Sequence, residues 1–364
     1  MSTATLRNGR GRDGRLVDLV IEGDRVRTVR PASAARIAGG ETDLGGRLVL
    51  PLFVDGQVSH DRLQRHAQRM IEYGAGAVRA HVDVDTDLAL GGIDDALRMR
   101  EVLAGLLDVQ VAAFPRTGIT RWGEQVAKLL DEALTQGAEV VGGLDPATVD
   151  EDVDGHLDVV FGLADRHGAR VDVHLHTTGP LAVVELRAIA ERTRALSLGG
   201  RVVVSHAHGL GTLEGRDRDA VPALLAEAGV AVLTKGPAGP MPPVRRLVDL
   251  GVGVLAGTDD VRDAGPFGTG DPLAAARDVA YQSNFRVDAD LELALELVGG
   301  RAATAVGLGE RDLYEGGPAD LVVLEAASAA EALANPPAGR DVMRAGSWLS
   351  TRRVETWSRL IEHL

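Results

Sequence analysis

At 364 residues, with 45% hydrophobic residues and a formal net charge of −14, the chain is too long for one small core and too acidic for a general nucleic-acid binder. It has no cysteine, so disulfides and thiolate–metal sites are excluded and any metal must sit on His, Asp, Glu or water. No run of about 18 apolar residues marks a membrane span. The first residues lack the apolar stretch of a secretory signal. The expectation is a cytoplasmic protein that meets a small-molecule substrate, with no nucleic-acid or membrane partner.

Residues 5–50 read as short strands. Leu16–Ile21 and Arg25–Val29 flank a Gly23-Asp24 turn and predict a hairpin, and Arg47–Leu50 follows Gly45-Gly46. From about residue 50 to 315, short apolar strands alternate with amphipathic helices, the pattern of a parallel sheet. The predicted strands are Leu48–Ser59, Ala77–Asp85, Val109–Pro115, Val140–Asp145, Arg170–Thr178, Arg201–Gly209, Val230–Gly236 and Val252–Asp260. Eight such units favour a closed (β/α)8 TIM barrel, an α/β fold whose chemistry sits where strands end. Beyond a Gly/Pro-rich loop at 263–272, the strand-like stretches Ala319–Leu324 and Val342–Leu349 are expected to pair with the N-terminal strands in a small β-sandwich. The predicted organisation is therefore 1–50, sandwich; 51–315, barrel; 316–364, sandwich.

Arg170–Thr178 carries the strongest chemical signal. Period-2 geometry puts Asp172, His174 and His176 on one face, and Val171, Val173 and Leu175 on the other. Of the ten histidines, His60, His81, His174, His176, His206 and His208 fall at predicted strand ends. His66, His156, His167 and His363 lie on helical or terminal stretches, where a solvated role is the default. Neutral imidazoles with one carboxylate suit a divalent ion such as zinc, and His174, His206 and Asp259 come from neighbouring strands. Asp259 could take a proton from bound water and return it to a leaving nitrogen. The plainer reading is that Asp259 and Asp260 cap the next helix.

On strand two, Arg79, His81, Asp83 and Asp85 share a face, and an internal ionic network is expected for Arg79 and Asp83. Arg116, after strand three, is placed at the mouth, where it suits an anion or a polarised carbonyl. Lysine occurs only at 128 and 235, which leaves Lys235 as the one candidate for Schiff-base chemistry at a strand end. Gly265–Gly270 lacks the Gly-Lys-Ser/Thr ending of a phosphate loop.

These stretches together resemble the amidohydrolase superfamily, in its cytosine deaminase-like branch. Leu50–Asp55 is similar to the family's first strand, and Val78-Arg-Ala-His-Val-Asp-Val84 to the branch's second. Val171–His174, Ser205-His206 and Thr258–Val261 follow in order, and Tyr314–Leu324 resembles the return into the sandwich. The resemblance implies metal-assisted hydrolysis of C–N bonds in small cyclic amides, amidines or related heterocycles. It also implies His174 and Asp259 as metal ligands and His206 at the reacting water.

Three departures stand beside it. Gln57-Val58-Ser59 replaces the family's His-x-His, and His60 is one residue off register unless a bulge re-aims it. Thr177 replaces an acidic proton shuttle. Asp61–His66 runs directly into helix where the branch has a covering loop, which suggests an open mouth or one closed by a neighbouring subunit of a homo-oligomer. Three readings stay open: a hydrolase whose zinc or iron shell is rearranged onto His174, His176, His206 and Asp259; a metal-independent acid–base enzyme using His174, His206, Asp259 and Arg116; and a non-catalytic ligand-binding relative. Gln57, His81, His176, Arg116 and Asp260 are the expected substrate contacts.

Overall fold

The computed structural model describes residues 3–236, 239–259, 268–309 and 311–353. Eight parallel strands follow one another in chain order around a barrel: Phe53–Ser59, Ala75–Asp83, Asp108–Phe114, Val140–Leu144, Arg170–His174, Val202–Ser205, Val230–Thr234 and Val254–Ala256. Helices cover the outer face, and the outward Val171 and Val173 of the fifth strand are fully buried beneath them.

The seam between first and last strands is closed by few contacts. Val58 bridges Asp259, and the Asp259 amide donates to the Gln57 carbonyl at 2.9 Å. The buried Asp55 carboxylate accepts from the Thr258 hydroxyl at 2.6 Å and the Thr258 amide at 2.9 Å. Two glycines permit this approach. A Cβ on Gly257 would lie 2.8 Å from the Gln57 nitrogen, and one on Gly56 would lie 2.7 Å from a Leu233 methyl. Pairing of the first two strands shifts register between Asp55 and Val58.

The two chain ends form a second, mixed sheet. Its order is Ser347–Arg352, Arg340–Arg344, Leu321–Leu324, Leu48–Pro51, Thr3–Arg10, Leu16–Glu22 and Arg25–Pro31, with Glu41–Asp43 also pairing Thr3–Arg10. It packs over its own core, which includes Leu6, Leu19, Ile21, Val49, Leu321 and Met343. Arg340, 1% exposed, ties this sheet to the barrel: it donates to Asp271 at 2.9 Å and to the Tyr73 carbonyl at 2.6 Å. Asp271 in turn caps the helix Pro272–Gln282.

Several strand limits differ from the expectation. The stretch read as one strand from Leu48 to Ser59 breaks at Leu52: its first half pairs with Leu321–Leu324 and its second opens the barrel. The fifth strand ends at His174 rather than Thr178, and the sixth at Ser205 rather than Gly209. The polar/apolar alternation of the sequence continues past the last ladder hydrogen bond, so pattern alone runs the strand too far. Among the described residues no helix is long and apolar enough to cross a membrane.

Candidate active site

Asp172 and His174 point into the barrel from the fifth strand, as their spacing requires, and both are buried. Asp172 forms the floor. It accepts from Arg79 Nη1 at 2.7 Å and from Ser205 Oγ at 2.6 Å, with His81 Nε2 at 3.4 Å and His174 Nε2 at 3.8 Å. Burial by itself would raise this carboxyl, but His81 and the Arg79 guanidinium outweigh it and hold the group far below the usual carboxylate range. Arg79 thus sits in an internal ionic network, as expected, through Asp172 and Gln110 Oε1, while Asp83 pairs with Arg116.

Above the floor, five histidine rings touch in sequence. Ring centres are 4.8 Å apart for His81 and His174, 4.9 Å for His174 and His206, and 4.3 Å for His206 and His176; His208 lies 5.4 Å from His176. Phe114 packs against His174 at 4.5 Å. Burial lowers His174 to about 3 and His206 to about 2, so both rings are neutral at physiological pH.

His206 sits where the sixth strand has ended, at φ 65°, followed by Ala207 at φ 49°. Two consecutive left-handed residues without glycine cost on the order of 1 kcal/mol each, and the turn aims the imidazole at the first strand. There the Gln57 amide donates to His206 Nε2 at 3.2 Å, which leaves the proton of the neutral ring on Nδ1. His206 Nδ1, Gln57 Oε1 and His174 Nε2 are all buried without a hydrogen-bond partner in the protein.

Asp259, at φ 45°, turns its carboxylate onto Lys235, with Arg62 Nη1 3.7 Å from the other oxygen. Burial would push Asp259 up, but the Lys235 charge and the neighbouring imidazoles bring it to about 2. Lys235 was legible as a strand-end lysine, but its carboxylate partner was not.

His176 corrects an expectation. It does not share a strand face with His174, because the strand has ended. Asp145, at φ 38° after the fourth strand, accepts from the His176 amide at 2.6 Å and lies 2.8 Å from its Nδ1. His176 thereby becomes a half-exposed imidazole oriented by a carboxylate. Sequence reasoning missed Asp145, although its position at a strand end was the available signal.

Arg116 reaches the rim but pairs with Asp83 at 2.9 Å and is 69% exposed on its side chain, outside the histidine cluster. His60 opens the helix His60–Glu72; it is buried, and no ring contact joins it to the cluster among the described residues. His156, expected to be solvated, is fully buried against Asp150 at 2.6 Å. Asp260 lies outside the described residues.

The rings of His174, His206 and His176 lie in contact, with Asp259 beside Lys235. Among the described residues, the group whose donor atoms lie within 4.8 Å of one another is His81, Asp172 and His174. Its carboxylate is already matched by Arg79 and Ser205, as that of Asp259 is by Lys235 and Arg62.

Comparison with known proteins places this geometry. A profile of the amidohydrolase family matches residues 63–358. N-isopropylammelide isopropyl amidohydrolase of Pseudomonas sp. (strain ADP) is 30% identical over 277 residues, covering 74% of this chain and 68% of that protein. The crystal structure of N-isopropylammelide isopropylaminohydrolase from Burkholderia multivorans superposes with a TM-score of 0.89 at 34% identity, over 96% of this chain and 99% of that one. That of 5-methylcytosine deaminase from Klebsiella pneumoniae, liganded with 5-fluorocytosine, gives 0.87 at 25% identity, over 98% and 100%.

Proposed function

The chain belongs to the amidohydrolase family, in its cytosine deaminase-like branch, and on that premise we propose that it hydrolyses a C–N bond of a small, uncharged nitrogen heterocycle at the barrel mouth. The observation that carries this reading is the set of unpaired buried atoms, His206 Nδ1–H, Gln57 Oε1 and His174 Nε2. A buried donor or acceptor left without a partner costs about 1–3 kcal/mol. A flat ring bearing amide or amidine edges offers donors and acceptors side by side, the chemistry these atoms lack. The relatives named for N-isopropylammelide and 5-methylcytosine support that ligand class.

In this reading Gln57, His206 and His174 hold the ring, with His81 packed beneath. The proton acceptor is His176. With Asp145 fixing the proton on Nδ1, its Nε2 lone pair is available to the mouth. Water gives one proton to His176 as its oxygen bonds to the ring carbon. That proton passes to the departing nitrogen as the C–N bond breaks, so the products are the hydroxylated or oxo ring and an amine or ammonia. Asp259, ionised above about pH 2, orients the attacking water.

The test is release of ammonia or amine from a panel of amino-substituted pyrimidines and triazines. At least one compound is expected to turn over, with kcat reduced about 100-fold or more in His176→Ala and in His206→Ala. A panel that neither binds nor reacts, or full activity in both variants, overturns the proposal.

A further inference from the structure

We propose that Lys235, seconded by Arg62, supplies at this mouth the positive charge that a divalent ion would supply, so that the site is built to work with an ammonium in place of a metal. The proposal rests on the functional reading above for the location of the chemistry, but its central observation is independent of any substrate.

The donor set is the first argument. A catalytic ion needs about three protein ligands with unengaged lone pairs. Residues 57–59 offer an amide, a valine and a hydroxyl, and the Gln57 amide is already directed at His206. Asp259 carries Lys235 on one oxygen and has Arg62 near the other. Among the described residues, the group whose donor atoms lie within 4.8 Å of one another, His81–Asp172–His174, contains a carboxylate bound to a guanidinium 2.7 Å away, on a side chain 1% exposed. An ion there would be added beside a buried, fixed positive charge, and that repulsion is poorly screened in the interior.

The second argument is the position of the lysine. Lys235 follows directly on the seventh strand and Asp259 comes shortly after the eighth, so the ammonium enters the mouth from the neighbouring strand. Its side chain is 15% exposed and that of Asp259 is 19% exposed, which places the pair inside the site and not on its rim. Only Lys128 and Lys235 are lysines in the sequence, against 39 lysines and arginines together. In a chain that otherwise uses arginine throughout, a lysine at this point supplies a compact charge with rotatable donors, suited to a single oxygen that gains negative charge. Among the described residues, the charged and titratable groups around it include Asp259, Arg62, His206, His208 and, across the cluster, His176 with Asp145.

Two measurements on the full chain test this. First, the protein is dialysed against excess zinc or manganese, passed through a desalting column and analysed for metal. Fewer than about one ion per ten chains is expected, and one retained ion per chain overturns the proposal. This result needs no substrate, so it stands apart from failure of the hydrolase reading. Second, on any heterocycle turned over, Lys235→Met is expected to lower kcat about 100-fold with little change in KM. Lys235→Arg should restore part of that loss, and added zinc should restore none. Wild-type kcat in Lys235→Met, or recovery on addition of zinc, overturns the proposal.

Discussion

Replacing Asp172 with Asn removes one negative charge from the barrel floor and keeps the volume of the side chain. The carboxylate is fully buried and lies 2.7 Å from an Arg79 guanidinium that is itself 1% exposed. In Asp172→Asn that guanidinium stays buried with only the Gln110 amide oxygen and a neutral Asn oxygen as acceptors. Breaking a buried pair by removing one partner costs about 3–5 kcal/mol, a large share of a total stability of roughly 5–15 kcal/mol. With the Asn oxygen turned to Arg79, the Ser205 hydroxyl can accept from the Asn NH2 instead, so the lower half of the range, about 3 kcal/mol, is expected. The assay is urea unfolding at pH 7 followed by tryptophan fluorescence and circular dichroism, with the midpoint as readout. Arg79→Met/Asp172→Leu, which removes both charges and keeps apolar volume, should recover most of the loss. A single variant within about 1 kcal/mol of wild type, or a double variant less stable than the single, would refute the view of Asp172 as a charge-matched floor. The same titration separates the floor from a metal ligand: chelator should leave the wild-type midpoint where it is.

Asp55 gives a pH-dependent prediction of the opposite sign to most carboxylates. Burial, partly offset by the Thr258 and Gln57 hydrogen bonds, raises it to about 6. Its folded value therefore exceeds the unfolded one, and its contribution is fully present below about pH 4 and lost as pH rises through about 6. A shift of about two units corresponds to roughly 3 kcal/mol. Measured by urea unfolding at pH 4 and pH 7, Asp55→Asn should gain on wild type by about that amount between the two; equal slopes would contradict the assignment. Arg340→Met strips the buried Asp271 cap of its partner and should cost about 3 kcal/mol. Hydrogen exchange should locate the loss in Arg340–Arg344 and the start of the helix Pro272–Gln282, and protection unchanged there would count against the link between sheet and barrel.

The barrel was legible because each strand is a short apolar run with a βα rhythm, and the alternation along Val78–Val84 and Arg170–His174 fixed which side chains face inward. The same alternation misled at His176. A strand ends when its ladder partners end, and the neighbouring strands stop at Leu144 and Ser205, a fact about other parts of the chain. Side-chain pairings were least legible. An internal network is legible for Arg79 in the strand pattern, but its partner Asp172 is 93 residues away and becomes a neighbour only when the barrel closes. The seam at Gly56 and Gly257 was invisible for the same reason, since the need for glycine comes from the opposite strand.

The charges at the mouth bear on what enters it. Asp259 and Asp145 are negative, Lys235 and Arg62 are positive, and His174 and His206 are held neutral by burial. These charges thus come from different strands and loops around the mouth. Opposite charges held on separate strands set up a strong local field across a bound ring. Such a field favours a transition state in which one edge of the ring gains negative charge and the water on the other face loses a proton. Arg116, the one rim cation the sequence singled out, is already matched by Asp83. Because that cation is already matched, it is not a ready counter-ion for an anionic substrate, in keeping with an uncharged heterocycle.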